Sequence, residues 1–212
     1  MLVFSKYKLV FLSVPKTGTT AWQAALAPHT SMIVSDPPEL KHAPVFRYNR
    51  FFRPALEKFI GEDLHVIAVM REPVAWLGSW FRYRQRPFLE GKPGSTAGMS
   101  FDAFVQDYLQ GRQPRHANVG SQSKFLEPQR NGTAATHLFR YEDPAALERY
   151  LEARMGFAVT TERLNTSRAA PLPLSAQTEE QLRRKYAPDF RLYDSIGADG
   201  AYTPEPVASP AR

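Results

Sequence analysis

Apolar runs alternate along the chain with polar turns marked by glycine and proline, in the rhythm of strands followed by helices. Leu9-Val10-Phe11-Leu12-Ser13-Val14 is almost continuously apolar, the pattern of a central parallel strand buried on both faces. Pro15 ends it. The turn Lys16-Thr17-Gly18-Thr19-Thr20 follows, and Ala21 to Leu26 reads as a helix closed by Pro28 and His29. Ser31 to Val34 predicts a second strand. Phe51 to Ile60 contains a helix, with Pro54 in its first turn and Gly61 past its end. Leu64 to Met70 is the clearest strand after the first, and Pro73 opens a helix carrying Val74, Leu77 and Phe81 at helical spacing.

The second half is more broken. Residues 86 to 100 hold three glycines and two prolines and predict a loop, with scope for motion. Ser100 is placed to cap the next helix, whose apolar stripe is Phe101, Phe104, Val105, Tyr108 and Leu109. Gly111 to Gly120 is irregular. Ala135 to Tyr141 predicts a strand, and Asp143-Pro144 looks like a cap followed by proline at the first helical position. Leu147, Tyr150 and Leu151 form the buried side of that helix, which Gly156 stops. Mostly loop follows to Ser175. A final helix falls near Thr178 to Tyr186, with Phe190 and Tyr193 extending its packing. The alternation argues for a layered α/β domain with a central, mainly parallel sheet flanked by helices. Residues 1–196 read as one domain, and residues 197–212, rich in Ala, Pro and Gly, as a flexible C-terminal tail.

Length and composition narrow this picture. The chain has 212 residues, enough for one domain with one sizeable core. A formal net charge of +6 favours an anionic ligand or surface without naming one. Arg82, Arg84 and Arg86 are the densest basic group, and no basic tail of the nucleic-acid-binding kind is present, so no nucleic-acid partner is expected. The absence of cysteine removes disulfides, thiolate chemistry and cysteine metal sites. Leu9 to Val14 is too short to span a membrane and lacks a cleavage site. The expectation is a cytoplasmic protein without stable membrane insertion, with homo-oligomerisation open.

The strongest chemical signal is Val14-Pro15-Lys16-Thr17-Gly18-Thr19-Thr20. A strand, a tight turn and a helix aim backbone N–H groups at one spot, where the helix N-terminus also favours an anion. Gly18 permits unusual backbone angles and close approach. Lys16 brings a mobile positive charge, and Thr19 and Thr20 bring hydroxyl donors. Together these hold a phosphate and stabilise charge developing on it. The bland alternative is a tight connection whose threonines cap the helix. The motif is neither G-x-x-x-x-G-K-[ST] nor G-x-G-x-x-G, because the lysine precedes the glycine by two positions.

Pro15-Lys16-Thr17-Gly18-Thr19-Thr20 closely resembles the 5′-phosphosulfate loop of sulfotransferases that use 3′-phosphoadenosine 5′-phosphosulfate (PAPS). Met70-Arg71-Glu72-Pro73, with Ser79 eight residues after Arg71, is similar to the family's 3′-phosphate-binding segment. The resemblance extends to the group holding Golgi carbohydrate and bacterial nodulation-type enzymes, through Asn118 to Leu126, Phe139 to Asp143, and Leu164 to Arg168 with the helix up to Tyr193. It implies a three-layer, P-loop-like fold and a transferase with PAPS as donor, 3′-phosphoadenosine 5′-phosphate (PAP) as product and no metal. It implies Lys16, Thr17, Gly18, Thr19, Thr20, Arg71 and Ser79 as nucleotide contacts. Arg168 and Lys124 are candidates for cofactor phosphate or an acidic acceptor, or else solvated charges. Two features depart from the cytosolic small-molecule branch. Ala21 stands where that branch has a tryptophan that stacks on adenine, and its C-terminal R-K-G is absent. Trp22 then reads as core.

The acceptor is expected to be a hydroxyl, less readily an amine, on a carbohydrate or small metabolite. His42, in Leu40-Lys41-His42-Ala43-Pro44, is the first candidate for the base that takes the acceptor proton, since an unperturbed imidazole titrates near pH ~6.5. The other reading is a loop histidine against Pro44 or solvent. His65 within a strand reads as structural, while His116 and Glu39 are the rivals. Gln122 is a candidate acceptor contact. Trp76, Trp80, Phe81 and Tyr83 line either a pocket or the core. Two other classes remain open on sequence: a non-catalytic binder of bisphosphate nucleotides, and a P-loop kinase-like enzyme, which would need a G-K-[ST] loop and carboxylates for Mg²⁺.

Overall fold

The computed structural model describes residues 1–161 and 171–204. Five strands form one sheet: β1 (Leu2–Phe4), β2 (Leu9–Leu12), β3 (Met32–Ile33), β4 (His65–Met70) and β5 (His137–Arg140), in the order β3-β1-β2-β4-β5. β2 pairs in parallel with β4, and β4 with β5, while β1 runs antiparallel to both β2 and β3. Only β1 therefore opposes the common strand direction.

β1 escapes a pattern reading because it is three residues long and joins β2 through the single turn Ser5–Tyr7 and a left-handed Lys8 (φ 47°). All four residues of β2 are buried, as a strand covered on both faces requires. Its side chains divide by the two-residue period. Val10 and Leu12 face one core with Val66, Ala68, Met70 and Leu138, while Leu9 and Phe11 face the other with Ile67, Val69 and Phe139. Each of these side chains larger than alanine, removed from water, contributes about 1.5–3 kcal/mol.

Helices cover both faces. α1 (Thr19–Leu26) supplies Trp22 and Leu26 to the second core; α2 (Pro38–Lys41) is a single turn beyond β3. The helix expected over residues 51–60 begins earlier. α3 (Val45–Arg47) runs through a π-helical stretch, Tyr48–Phe52, into α4 (Arg53–Ile60); Phe52 from the π stretch and Leu56 and Ile60 from α4 pack on the first core. α5 (Pro73–Arg84) and α6 (Phe101–Tyr108) make a third cluster through Trp76, Leu77, Phe81, Phe101 and Phe104. The Ser100 hydroxyl accepts from the Ala103 amide, as a cap should. α7 (Gln122–Phe125) is one turn. α8 (Pro144–Met155) supplies Leu147 and Leu151 to the second core and ends at a left-handed Gly156. Asp143 occupies its N-cap position, but its side chain makes no cap bond.

α9 (Ala176–Lys185) is followed directly by α10 (Ala187–Asp194), a separate helix restarted at Pro188 rather than mere packing beyond α9. In the segment after α10, the Gly200 carbonyl accepts from the Leu138 amide at 2.9 Å and the Tyr202 hydroxyl donates to the Ala135 carbonyl at 2.6 Å, beside and just before β5; residues 205–212 of the expected tail lie outside the described residues. Among the described residues no helix is long and apolar enough to cross a membrane.

Candidate functional site

The three parallel strands β2, β4 and β5 end on the same edge of the sheet, where α/β proteins gather their ligands. Leaving that edge are Val14 to Thr20, Arg71 and Tyr141.

The first of these segments is a concavity of backbone amides. Lys16 (φ 67°) and Gly18 (φ 75°) both take left-handed angles. Left-handed backbone is unusual for a lysine, and alternation of this kind turns successive N–H groups inward as an anion nest. The amides of Lys16, Thr17 and Gly18 make no hydrogen bond among the described residues. Thr19 and Thr20 open α1, whose first amides also lack helical partners. Thr17, expected among the nucleotide contacts, is fully buried, and its hydroxyl donates back to the Val14 carbonyl at 2.8 Å. It shapes the turn and offers only its amide. Thr20 is exposed, and Thr19 is at the margin of burial. From α5, the Trp76 indole donates to the Pro15 carbonyl at 2.8 Å and pins the turn.

Cations converge on this nest. Lys16 Nζ lies 4.2 Å from the centroid of Tyr83 and 5.7 Å from that of Trp80. Arg86 stacks on the same Tyr83 ring at 5.1 Å and Arg84 on Trp80 at 5.5 Å. Burial first, then Arg86 and Arg71, bring the Lys16 ammonium down to about 8. Burial, then Arg71, likewise lowers Arg82. Arg86 and Arg71 thus crowd the Lys16 ammonium, and Arg82 lies near Arg71 in turn.

Arg71 is held on three sides. Its amide donates to the Gln122 side-chain oxygen at 2.9 Å, and its carbonyl accepts from the Gln122 side-chain nitrogen at 2.7 Å. Its guanidinium lies 4.3 Å from the Tyr141 centroid. The Glu142 carboxylate stays 4.0 Å from Nε and accepts from the Glu72 amide and the Tyr193 hydroxyl. Arg71 Nε is buried with no hydrogen-bond partner among the described residues, and an unmet donor on a cation is a costly group. Ser79 is half-buried on α5. Gln122, expected as an acceptor contact, is instead buried with its amide fully committed to the Arg71 backbone. Lys124 is exposed on α7, and Arg168 lies outside the described residues.

His42 approaches from the loop after α2. Its Nδ1 is 2.7 Å from the Ser13 carbonyl. A carbonyl only accepts, so Nδ1 carries the proton and Nε2 keeps its lone pair. Burial chiefly, with Lys41, the amino terminus and Lys16 adding, lowers the imidazole below its ordinary value against the Ser13 bond. A neutral ring with a free Nε2 is the form a base needs. The rivals are less suited. His116 Nε2 is paired with Asp107 at 2.7 Å, Glu39 is exposed, and His65 binds the Tyr150 hydroxyl and Arg154 at the opposite end of β4.

The aromatic candidates divide. Trp22 is core against Phe11, and Trp76 and Phe81 are buried, whereas Trp80 and Tyr83 form the shelf under Lys16. The loop after α5 is anchored to it, since the Thr96 hydroxyl donates to the Phe81 carbonyl and Arg84 to the Gly94 and Arg115 carbonyls. Tyr141, Arg82 and Arg86 entered no sequence reading as site residues. The basic run at 82–86 was the signal for the arginines; Tyr141 lies within the resemblance segment Phe139 to Asp143, which gave it no role. Among the described residues no group of three or more His, Asp or Glu side chains is arranged for a metal ion. No family model, no curated protein and no solved structure matches the chain.

Proposed function

We propose that this chain is a sulfotransferase that moves a sulfuryl group from PAPS to a hydroxyl, less readily an amine, on a carbohydrate or small metabolite. One observation carries the reading. A nest of amides at residues 16–18, without partners among the described residues, stands beside two confined cations, Lys16 and Arg71, and Arg71 meets the Glu142 carboxylate only at 4.0 Å. Such a site suits a multiply charged anion.

PAPS supplies the activated sulfuryl group. The nest amides, with Thr19 and Thr20, hold the 5′ end; Arg71 and Ser79 hold the 3′-phosphate, with Arg82 close behind. His42 Nε2 takes the acceptor proton as the acceptor oxygen bonds to sulfur and the sulfur–oxygen bond to the phosphate breaks. Lys16 offsets the charge arriving on the departing oxygen. The P-loop-like character of the fold belongs to this same proposal. A non-catalytic binder would need no base, and the oriented, neutral His42 weighs against it.

Calorimetric titration with PAP in metal-free buffer, beside ATP, tests the reading. Selective PAP binding that weakens in both Lys16→Ala and Arg71→Ala supports it. Equal binding of ATP, or affinity unchanged in the variants, overturns it.

A further inference from the structure

Away from the nucleotide edge, the outer side of the α3–α4 segment carries an unusual combination. Phe46, Phe51 and Phe59 are 47, 60 and 80 % exposed, although the same segment packs the partly buried Phe52, Leu56 and Ile60 against the core. Arg50, Phe51, Pro54, Ala55, Lys58 and Phe59 are all exposed, at the spacing of one outward helical stripe. Each exposed ring has its own cation beside it: Arg47 on Phe46 at 5.5 Å, Arg50 on Phe51 at 5.3 Å and Lys58 on Phe59 at 5.5 Å. Among the described residues neither Arg50 nor Lys58 has a carboxylate within 4.0 Å, and the segment's acid, Glu57, is paired with Arg53.

We propose that this stripe is a docking surface for an anionic lipid bilayer. Separate protruding rings suit the soft headgroup boundary, where an amphipathic basic helix lies in the plane with aromatics inserted and cations at the phosphates. They suit a protein partner less, because such interfaces need a continuous, shape-matched apolar centre. A second copy of the chain would set Arg50 and Lys58 against like charge. The inference is independent of the sulfuryl-transfer reading, since none of these residues belongs to the nucleotide site.

Co-sedimentation with vesicles tests it, using phosphatidylcholine alone and mixed with phosphatidylglycerol. The full chain is expected to bind the mixed vesicles on the order of ten-fold more strongly, and to lose that preference at raised salt. The double variant Phe51→Ser/Phe59→Ser should lose most of the binding while keeping PAP affinity and helical circular dichroism. Arg50→Glu/Lys58→Glu should abolish the preference for anionic vesicles. Equal or absent binding to the two vesicle types overturns the proposal, as does undiminished binding by the phenylalanine variant. Self-association in sedimentation velocity that the same substitutions abolish would also overturn it, by making the stripe a contact between copies.

Discussion

Tyr141 lies under Arg71, ring centroid to guanidinium carbon 4.3 Å, and the same ring closes the space beside the glycine of the turn. A β-carbon on Gly18 would stand 3.1 Å from Tyr141 Cε2, on a backbone at φ 75°. Gly18→Ala should therefore destabilise the protein by about 1–2 kcal/mol from the left-handed angle alone, and weaken PAP. Adding Tyr141→Leu should relieve the contact but not the angle, so urea melts of the double variant should recover only part of the loss.

Lys16 predicts an alkaline limit to nucleotide affinity. Its free-state value near 8 leaves it mainly charged at neutral pH, and a bound bisphosphate favours the charged form. PAP affinity should be full below pH 8 and fall as pH rises through it, until the complex also loses the proton. Lys16→Arg, which stays protonated throughout, should flatten that fall. Titration calorimetry across this window checks the sign.

His42 predicts an acid limit to turnover instead. Because burial lowers it from 6.5, the base should remain neutral below that pH, and kcat should decline only on further acidification. His42→Asn keeps a donor for the Ser13 carbonyl but has no base. It should lower kcat by roughly 10²–10⁴-fold and leave PAP affinity unchanged.

Gln122 predicts an effect through Arg71. Gln122→Leu strips partners from a buried amide and carbonyl, at about 1–3 kcal/mol for each group left unsatisfied. A lower urea midpoint together with weaker PAP binding is expected. Loss of stability with unchanged affinity would mean that the clamp does not position the arginine.

The strand–turn–helix of residues 9–26 was legible because three local signals agree there: a continuous apolar run, a proline stop and a glycine at the turn. The helix caps at Ser100 and Gly156 were legible for the same reason. β1 was not, since three residues carry no period. α10 was hidden by Pro188, which reads as a stop but here opens a helix. The roles of Gln122, Thr17 and Tyr141 were illegible for a different reason: each depends on a partner brought close by the fold, and an amide buried as a clamp has the same letter as one facing a substrate. Lys16 was found by pattern, whereas its aromatic shelf arises only when α5 packs beside the turn.

The bond from Leu138 to Gly200 has a consequence for solution behaviour. An open sheet margin recruits strands from other molecules. Here the C-terminal segment occupies the β5 margin, and the opposite margin, β3, is two residues long. Cutting the chain before Gly197 would bare the β5 margin and expose it to strand pairing between molecules.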